Sequence, residues 1–130
     1  MEAKVFYRCN ICGNLIAMIE NSGNVPHCCG QAMENLEPGM TDAPHEKHVP
    51  VITRKEKKVC VTVGEIHHPM NELHYIEWIE LQTNLGSHMR RLNPGDAPSA
   101  RFLICDDEKP LCAFAYCNLH GLWSAYFESE

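Results

Sequence analysis

Long apolar runs are missing from this chain of 130 residues. No segment approaches the roughly 20 apolar residues needed to cross a bilayer, and the opening MEAKVFYRC has no apolar stretch fit for a secretory leader. The expectation is a soluble, cytosolic protein with no membrane partner. Positive charge is scarce as well. Eleven Lys and Arg stand against 17 Asp and Glu, for a formal net charge of −6, and the basic residues form no stripe beyond the short run Arg54, Lys55, Lys57, Lys58. A nucleic-acid interface therefore has no electrostatic footprint. The run RKEKK reads as a solvated turn between two strands. A convincing helix is also lacking, as is an internal repeat.

Cysteine and histidine are plentiful, with eight of each. In a reducing compartment, eight cysteines suggest metal ligands, reactive thiols or small buried apolar groups before they suggest disulfides. Four of them fall in the first 29 residues, which are poor in apolar runs, whereas hydrophobic sequence concentrates after position 48. This shift predicts a metal-stapled unit over residues 1–37 and a larger domain over 38–130. ENLEPGMTDAPHEKHVP, from Glu34 to Pro50, reads as linker and loop.

In the front part, residues 5–9 and 14–20 are short strand-like runs on either side of Cys9-x-x-Cys12-Gly13. Beyond the linker, strand-length segments rich in β-branched and aromatic residues recur at 58–65, 74–83, 88–92, 100–106, 111–117 and 123–128. In the first of these Val59, Val61 and Val63 share one face, and Lys58 and Thr62 point the other way. The fold class that follows is all-β, with an antiparallel β-sandwich in the larger domain.

Cys9, Cys12, Cys28 and Cys29 offer four thiolates from two short loops, and Gly13 helps the first loop turn back so that its sulfurs can share one tetrahedral ion. Such a cross-link would supply folding energy that the small unit's own core lacks. Adjacent ligands at 28 and 29 depart from the usual repeated C-x2-C, and on spacing alone zinc and a redox-active single iron remain open. In the larger domain His48, His68, His74 and the pair Cys117-x-x-His120 each sit where a loop meets a strand, so they can converge at one end of a sandwich. His27, His45, His67 and His88 show that histidine is simply frequent here. His67 and His68 normally point to opposite faces, so one of them binds at most. Cys117-x-x-His120 lacks the second cysteine of a haem-attachment site, and no oxyanion-hole signature accompanies a nucleophile, which leaves a His and thiolate metal site as the best account.

Taken together, CxxC…CC, EKHVPVI, HPM-x3-HYIEWIEL and CNxHGxW resemble desulfoferrodoxin, the two-iron form of superoxide reductase, over nearly the whole chain. The resemblance implies a desulforedoxin-like β unit followed by an immunoglobulin-like sandwich, usually in a homodimer. It implies two iron ions per chain. Cys9, Cys12, Cys28 and Cys29 would hold one; His48, His68, His74 and His120 would surround the other, with Cys117 as axial ligand and Glu46 and Lys47 on the loop above. It also implies one-electron reduction of superoxide to hydrogen peroxide, with electrons from a rubredoxin-type carrier. A non-catalytic iron electron-transfer protein and a zinc-stabilised binding module are the competing readings. Trp78, Tyr75 and Ile76 are expected in the core and Trp123 near the second site; Cys60, Cys105 and Cys112 are expected as buried apolar groups.

Overall fold

Alternation along residues 58–63 places Val59, Val61 and Val63 at 0% exposure while Lys58 stays in solvent, and this inward row is the floor of the larger unit. The computed structural model describes residues 3–40 and 43–128. The chain divides into two compact units, residues 1–37 and 38–130.

In the first unit, β1 (Phe6–Arg8) pairs antiparallel with β2 (Leu15–Ala17) and with β5 (Glu34–Asn35). A separate hairpin joins β3 (His27–Cys28) to β4 (Gln31–Ala32). Among the described residues Tyr7, Cys9 and Met33 form a buried cluster, with Val5, Ile16 and Met18 packed against them, and Phe6 is buried as well, at 1% exposure.

The second unit starts with a single helical turn, α1 (His45–His48), followed by β6 (Pro50–Lys55), β7 (Lys58–Val63), β8 (Ile76–Thr83), β9 (Ser87–Arg91), β10 (Ser99–Leu103), β11 (Pro110–Cys117) and β12 (Gly121–Tyr126). The strands form two antiparallel sheets, ordered β10-β7-β6 and β12-β11-β8-β9. This division of three strands against four is that of an immunoglobulin-like sandwich. Ile76, Ile79 and Leu81 of β8 and Ala113, Ala115 and Cys117 of β11 meet the three valines of β7 in the core. The period-2 rule thus carries the inward row of β11 out to Cys117, the last residue of the strand, at the end of the sandwich.

Three expectations need correction. The span 34–50 is not loop throughout: it holds β5, α1 and the first residue of β6, while Thr41 and Asp42 lie outside the described residues. The strand β6 was missed because it opens on Pro50, a residue more often seen at strand edges and starts. Of the three cysteines expected to be buried, Cys112 is, Cys60 is half-buried and Cys105 is exposed in the β10–β11 connection. The run RKEKK does form the tight β6–β7 turn, with Glu56 at φ 57.

At the far end of β11 a second polar cluster braces the sandwich. Glu108, 5% exposed, accepts hydrogen bonds from the Thr83 hydroxyl (2.6 Å), His88 Nε2–H (2.7 Å) and the Cys105 amide (3.0 Å). These donors, Thr83 foremost, hold its carboxyl down at about 2. A carboxyl depressed by folding contributes stability above its unfolded range, and that contribution is lost as pH falls from about 4.5 towards 2. Glu108→Gln should therefore flatten the acid limb of stability in thermal melts followed down from neutral pH. Identical acid limbs for variant and wild type would remove Glu108 from that response.

Candidate metal centres

The front centre is built by two turns. After β1 the chain folds back so that the Gly13 amide donates to the Cys9 carbonyl (2.9 Å) and the Cys9 amide to that of Asn14 (2.8 Å). In the β3–β4 hairpin the two connecting residues, Cys29 and Gly30, both have positive φ (53° and 77°), the signature of a type I′ turn. That left-handed conformation lets the neighbours Cys28 and Cys29 present their sulfurs to one point, the feature that spacing alone made awkward. The thiols of Cys9, Cys12, Cys28 and Cys29 all lie within 4.8 Å of one another. The amides of Cys12 and Ile11 draw the Cys9 thiol down to about 6, while its neighbours, Cys12 first, push Cys29 up to about 12. Four crowded sulfurs resist ionising together, and a cation between them removes that conflict.

The second centre closes one end of the sandwich. Residues 118–120 form a three-residue hairpin loop between Cys117 and Gly121, whose φ of 77° is the left-handed position such loops require. The spacing Cys-x-x-His-Gly is thus a turn that swings His120 back beside Cys117, with Nδ1 3.9 Å from Sγ. A register shift between Tyr116 and Cys117 marks a bulge where β8 begins, just after His74. His48 ends α1, and α1 is seated on Gly64: a Cβ there would lie 2.8 Å from the Lys47 carbonyl carbon and against the Ile66 carbonyl oxygen, at a φ of 86°.

Four imidazoles stand as a ring of corners. Centroids of His48 and His68, His68 and His74, His74 and His120, and His120 and His48 are 4.7, 4.6, 5.0 and 4.8 Å apart, each pair near perpendicular, and the diagonal from His48 to His74 is 6.2 Å. Ligand atoms of His48, His74, Cys117 and His120 lie within 4.8 Å of one another, and His68 Nε2 is 3.2 Å from His48 Nε2. His67 is exposed, so His68 is the inward one of that pair.

Tautomers make the ring chemically specific. His48 Nδ1–H donates to the Pro44 carbonyl (2.7 Å) and His68 Nδ1–H to that of Pro69 (2.6 Å), so each neutral ring keeps its lone pair on Nε2. Burial keeps these rings neutral, pushing His68 down to about 4 and His48 and His74 below their ordinary range. Two lone pairs facing each other at 3.2 Å cannot share a hydrogen bond. His74 Nε2 is buried with no hydrogen-bond partner among the described residues. Cys117, at 0% exposure, has its thiol pushed up by burial, partly offset by the amides of Leu119 and His120. Lone pairs aimed inward, an orphaned nitrogen and a buried thiol fit a cation coordinated by His and Cys.

A family model described as desulfoferrodoxin matches residues 40–126, and one for the desulfoferrodoxin N-terminal domain matches residues 2–36. The chain belongs to the desulfoferrodoxin family. A desulfoferrodoxin homolog of Archaeoglobus fulgidus is 45% identical over 124 residues, covering 95% of this chain and 98% of that one. The crystal structure of the superoxide reductase from Treponema pallidum is similar with a TM-score of 0.80 at 33% identity, covering 95% of this chain and 99% of that one. A superoxide reductase of Giardia intestinalis described as 1Fe-SOR covers 65% of this chain and 99% of its own, at 39% identity and a TM-score of 0.56.

Two asparagines to which sequence reasoning gave no role organise the ring. Asn71 Oδ1 accepts the amides of Leu73 (3.1 Å) and His74 (3.0 Å), shaping the loop that presents His74. Asn118, next to Cys117, ties that loop to the hairpin: Oδ1 accepts the Tyr75 amide (2.9 Å), Nδ2 donates to the Leu73 carbonyl (3.1 Å), and its own amide donates to the Tyr75 carbonyl (3.2 Å). Asn118 stands in the CNxHGxW motif without an assigned role, and for Asn71 the signal was turn chemistry, Asn after Pro-Met. Trp123 stacks on His48 (4.9 Å, 28°) and donates Nε1–H to the His120 carbonyl (3.1 Å), so it braces two corners at once. Asn118→Ala should weaken metal binding at this centre roughly 10–100-fold and shift the spectrum of the cobalt(II)-loaded protein. Unchanged affinity and spectrum would show that the clamp does not set His74.

Proposed function

We propose that the chain is a superoxide reductase, reducing superoxide by one electron to hydrogen peroxide without releasing oxygen. The observation that carries this reading is the pair of lone-pair nitrogens, His48 Nε2 and His68 Nε2, facing each other within a square of imidazoles beside a buried thiol. Relatives named superoxide reductase support it. On this reading His48, His68, His74, His120 and Cys117 would hold one iron, and Cys9, Cys12, Cys28 and Cys29 would hold a second. Ferrous ion bound at the histidine site would supply the one electron that, with two protons, converts superoxide to hydrogen peroxide, becoming ferric.

The chain's own residues deliver the anion and the protons. Lys47, half-buried beside His48, places positive charge at the approach to the site in a chain of net charge −6. Its ammonium is also the candidate proton source, through an ordered water. Glu46, exposed on the same helical turn, acts as a gate whose carboxylate closes the mouth behind the leaving product. Residues 1–37 serve as the desulforedoxin-like iron domain and 38–130 as the catalytic domain, in a cytoplasmic homodimer resupplied by a rubredoxin-type carrier.

The test is a pulse of superoxide delivered to pre-reduced protein carrying two irons per chain. Fast second-order decay, with stoichiometric peroxide and no oxygen evolution, is expected; decay at the uncatalysed rate would overturn the reading. In the same assay Lys47→Ala should slow the reaction by about tenfold or more and make it less sensitive to ionic strength. An unaltered rate and salt slope would remove Lys47 from its role.

A further inference from the structure

The positive charge that the net balance conceals is concentrated along one side of the sandwich. Arg90 and Arg91 of β9 and Arg101 of β10, three of the chain's five arginines, line one groove of about 430 Å³. A neighbouring groove of about 250 Å³ shares Arg90 and Arg101 and adds Lys58 and Leu103, the latter 75% exposed. Both strands are edges of their sheets, so the groove runs along the open side. All three arginines are exposed, and among the described residues no ion pair holds their guanidinium groups. The acidic residue lining the groove, Asp96, is committed to its own turn, accepting the Asn93 amide at 2.8 Å.

This side of the sandwich is bonded to the wall of the histidine ring. In the β9–β10 connection, the Gly95 amide donates to the Met70 carbonyl (2.8 Å). One peptide away, the Pro69 carbonyl accepts His68 Nδ1–H (2.6 Å). A second route runs from the Pro98 carbonyl to the Val63 amide (2.8 Å), and from the Val63 carbonyl to the His68 amide (3.3 Å). The groove is thus joined to one corner of the ring by a few covalent and hydrogen bonds, without crossing solvent.

The chemistry of the groove selects its occupant. A small-anion site is usually enclosed, with buried polar groups that fix the ligand, whereas these arginines are exposed on flat edge strands beside an exposed leucine. Exposed arginine next to apolar surface is the composition of a protein-docking patch. Elsewhere the chain carries excess negative charge, so an acidic partner is repelled from most of it and steered to this side. From these observations we infer that the β9–β10 arginine groove docks an acidic one-electron carrier protein, which reduces the histidine site through the Gly95–Met70–His68 wall. The inference rests on reading that site as a superoxide reductase centre. One electron leaves the carrier and ferric ion becomes ferrous, with no bond made or broken.

The experiment is stopped-flow reduction of the oxidised, iron-loaded protein by a reduced acidic rubredoxin at low and high salt. The double variant Arg90→Glu/Arg101→Glu should react about tenfold more slowly or worse at low salt and lose the salt dependence of the wild type. The Arg90→Lys/Arg101→Lys variant should keep most of the rate. Reduction by ascorbate and the peroxide yield from superoxide should match wild type in both, which certifies an intact site. A rubredoxin rate and salt slope untouched by charge reversal would overturn the inference. So would micromolar binding of inorganic phosphate or ATP that charge reversal abolishes while rubredoxin reduction stays unchanged, since the groove is then a small-anion site. If reduced wild type fails to react with superoxide, the reading of the site fails; salt-dependent rubredoxin reduction sensitive to Arg90 and Arg101 would still report docking.

Discussion

Cys117→Ser should yield a folded protein whose front-centre spectrum is intact but whose second centre has no thiolate-to-iron absorption band. Serine fits the space at the end of β11, so the packing of Ala113 and Ala115 against the β7 valines survives. Its hydroxyl does not ionise as a thiol does next to a cation, so the anionic donor beside the imidazoles is lost. The reaction with superoxide should fall by more than the roughly 10–100-fold that losing an outer-shell partner costs. Absorption spectra and peroxide yields on the same iron-loaded sample give the answer. A persisting band would mean that Cys117 is not a ligand.

Stripping the front centre should have a different outcome, because the first unit is held by so little else. Its buried side chains among the described residues are Phe6, Tyr7, Cys9 and Met33, each worth about 1.5–3 kcal/mol at most. Structural zinc contributes an apparent ~10–16 kcal/mol in zinc-finger peptides, so a metal held by the four thiols would match or exceed that whole core. Chelation, or Cys9→Ser combined with Cys28→Ser, should abolish amide-exchange protection in β1, β2 and β5. The sandwich strands, whose core includes nine side chains from β7, β8 and β11 alone, should keep theirs. Protection retained in β1 after the metal is gone would show that the small core suffices.

What was legible in the sequence and what was not follows the range of each interaction. The valine alternation of β7 and the four-cysteine cluster could be read because each is local, a strand period in one case and a short turn in the other. Sorting His68 from His67 was possible only up to a choice, since period 2 separates them but does not say which faces inward. The turn at His45–His48 was invisible: four residues between Pro44 and Pro50 show no period, and it is held by Gly64 from across the chain. Asn71 and Asn118 were missed because their hydrogen bonds join segments more than 40 residues apart, in the case of Asn118, or act on the backbone of a ligand loop. Cys105 was misplaced because the alternation that turns Ala100, Phe102 and Ile104 inward leaves Arg101, Leu103 and Cys105 on the outer side.

The square of imidazoles has one more consequence, for which ion the protein accepts. Zinc prefers four donors at the corners of a tetrahedron, and a flexible site would fold around it. Here each corner is held from outside the ring: His48 and His68 by carbonyl acceptors, His74 by Asn71 and Asn118, His120 by a three-residue hairpin. Regrouping rings whose centroids stand 4.6–5.0 Å apart along the sides and 6.2 Å across the His48–His74 diagonal would cost some of those bonds. An ion that demands a different arrangement of donors would have to meet that cost from its own binding energy.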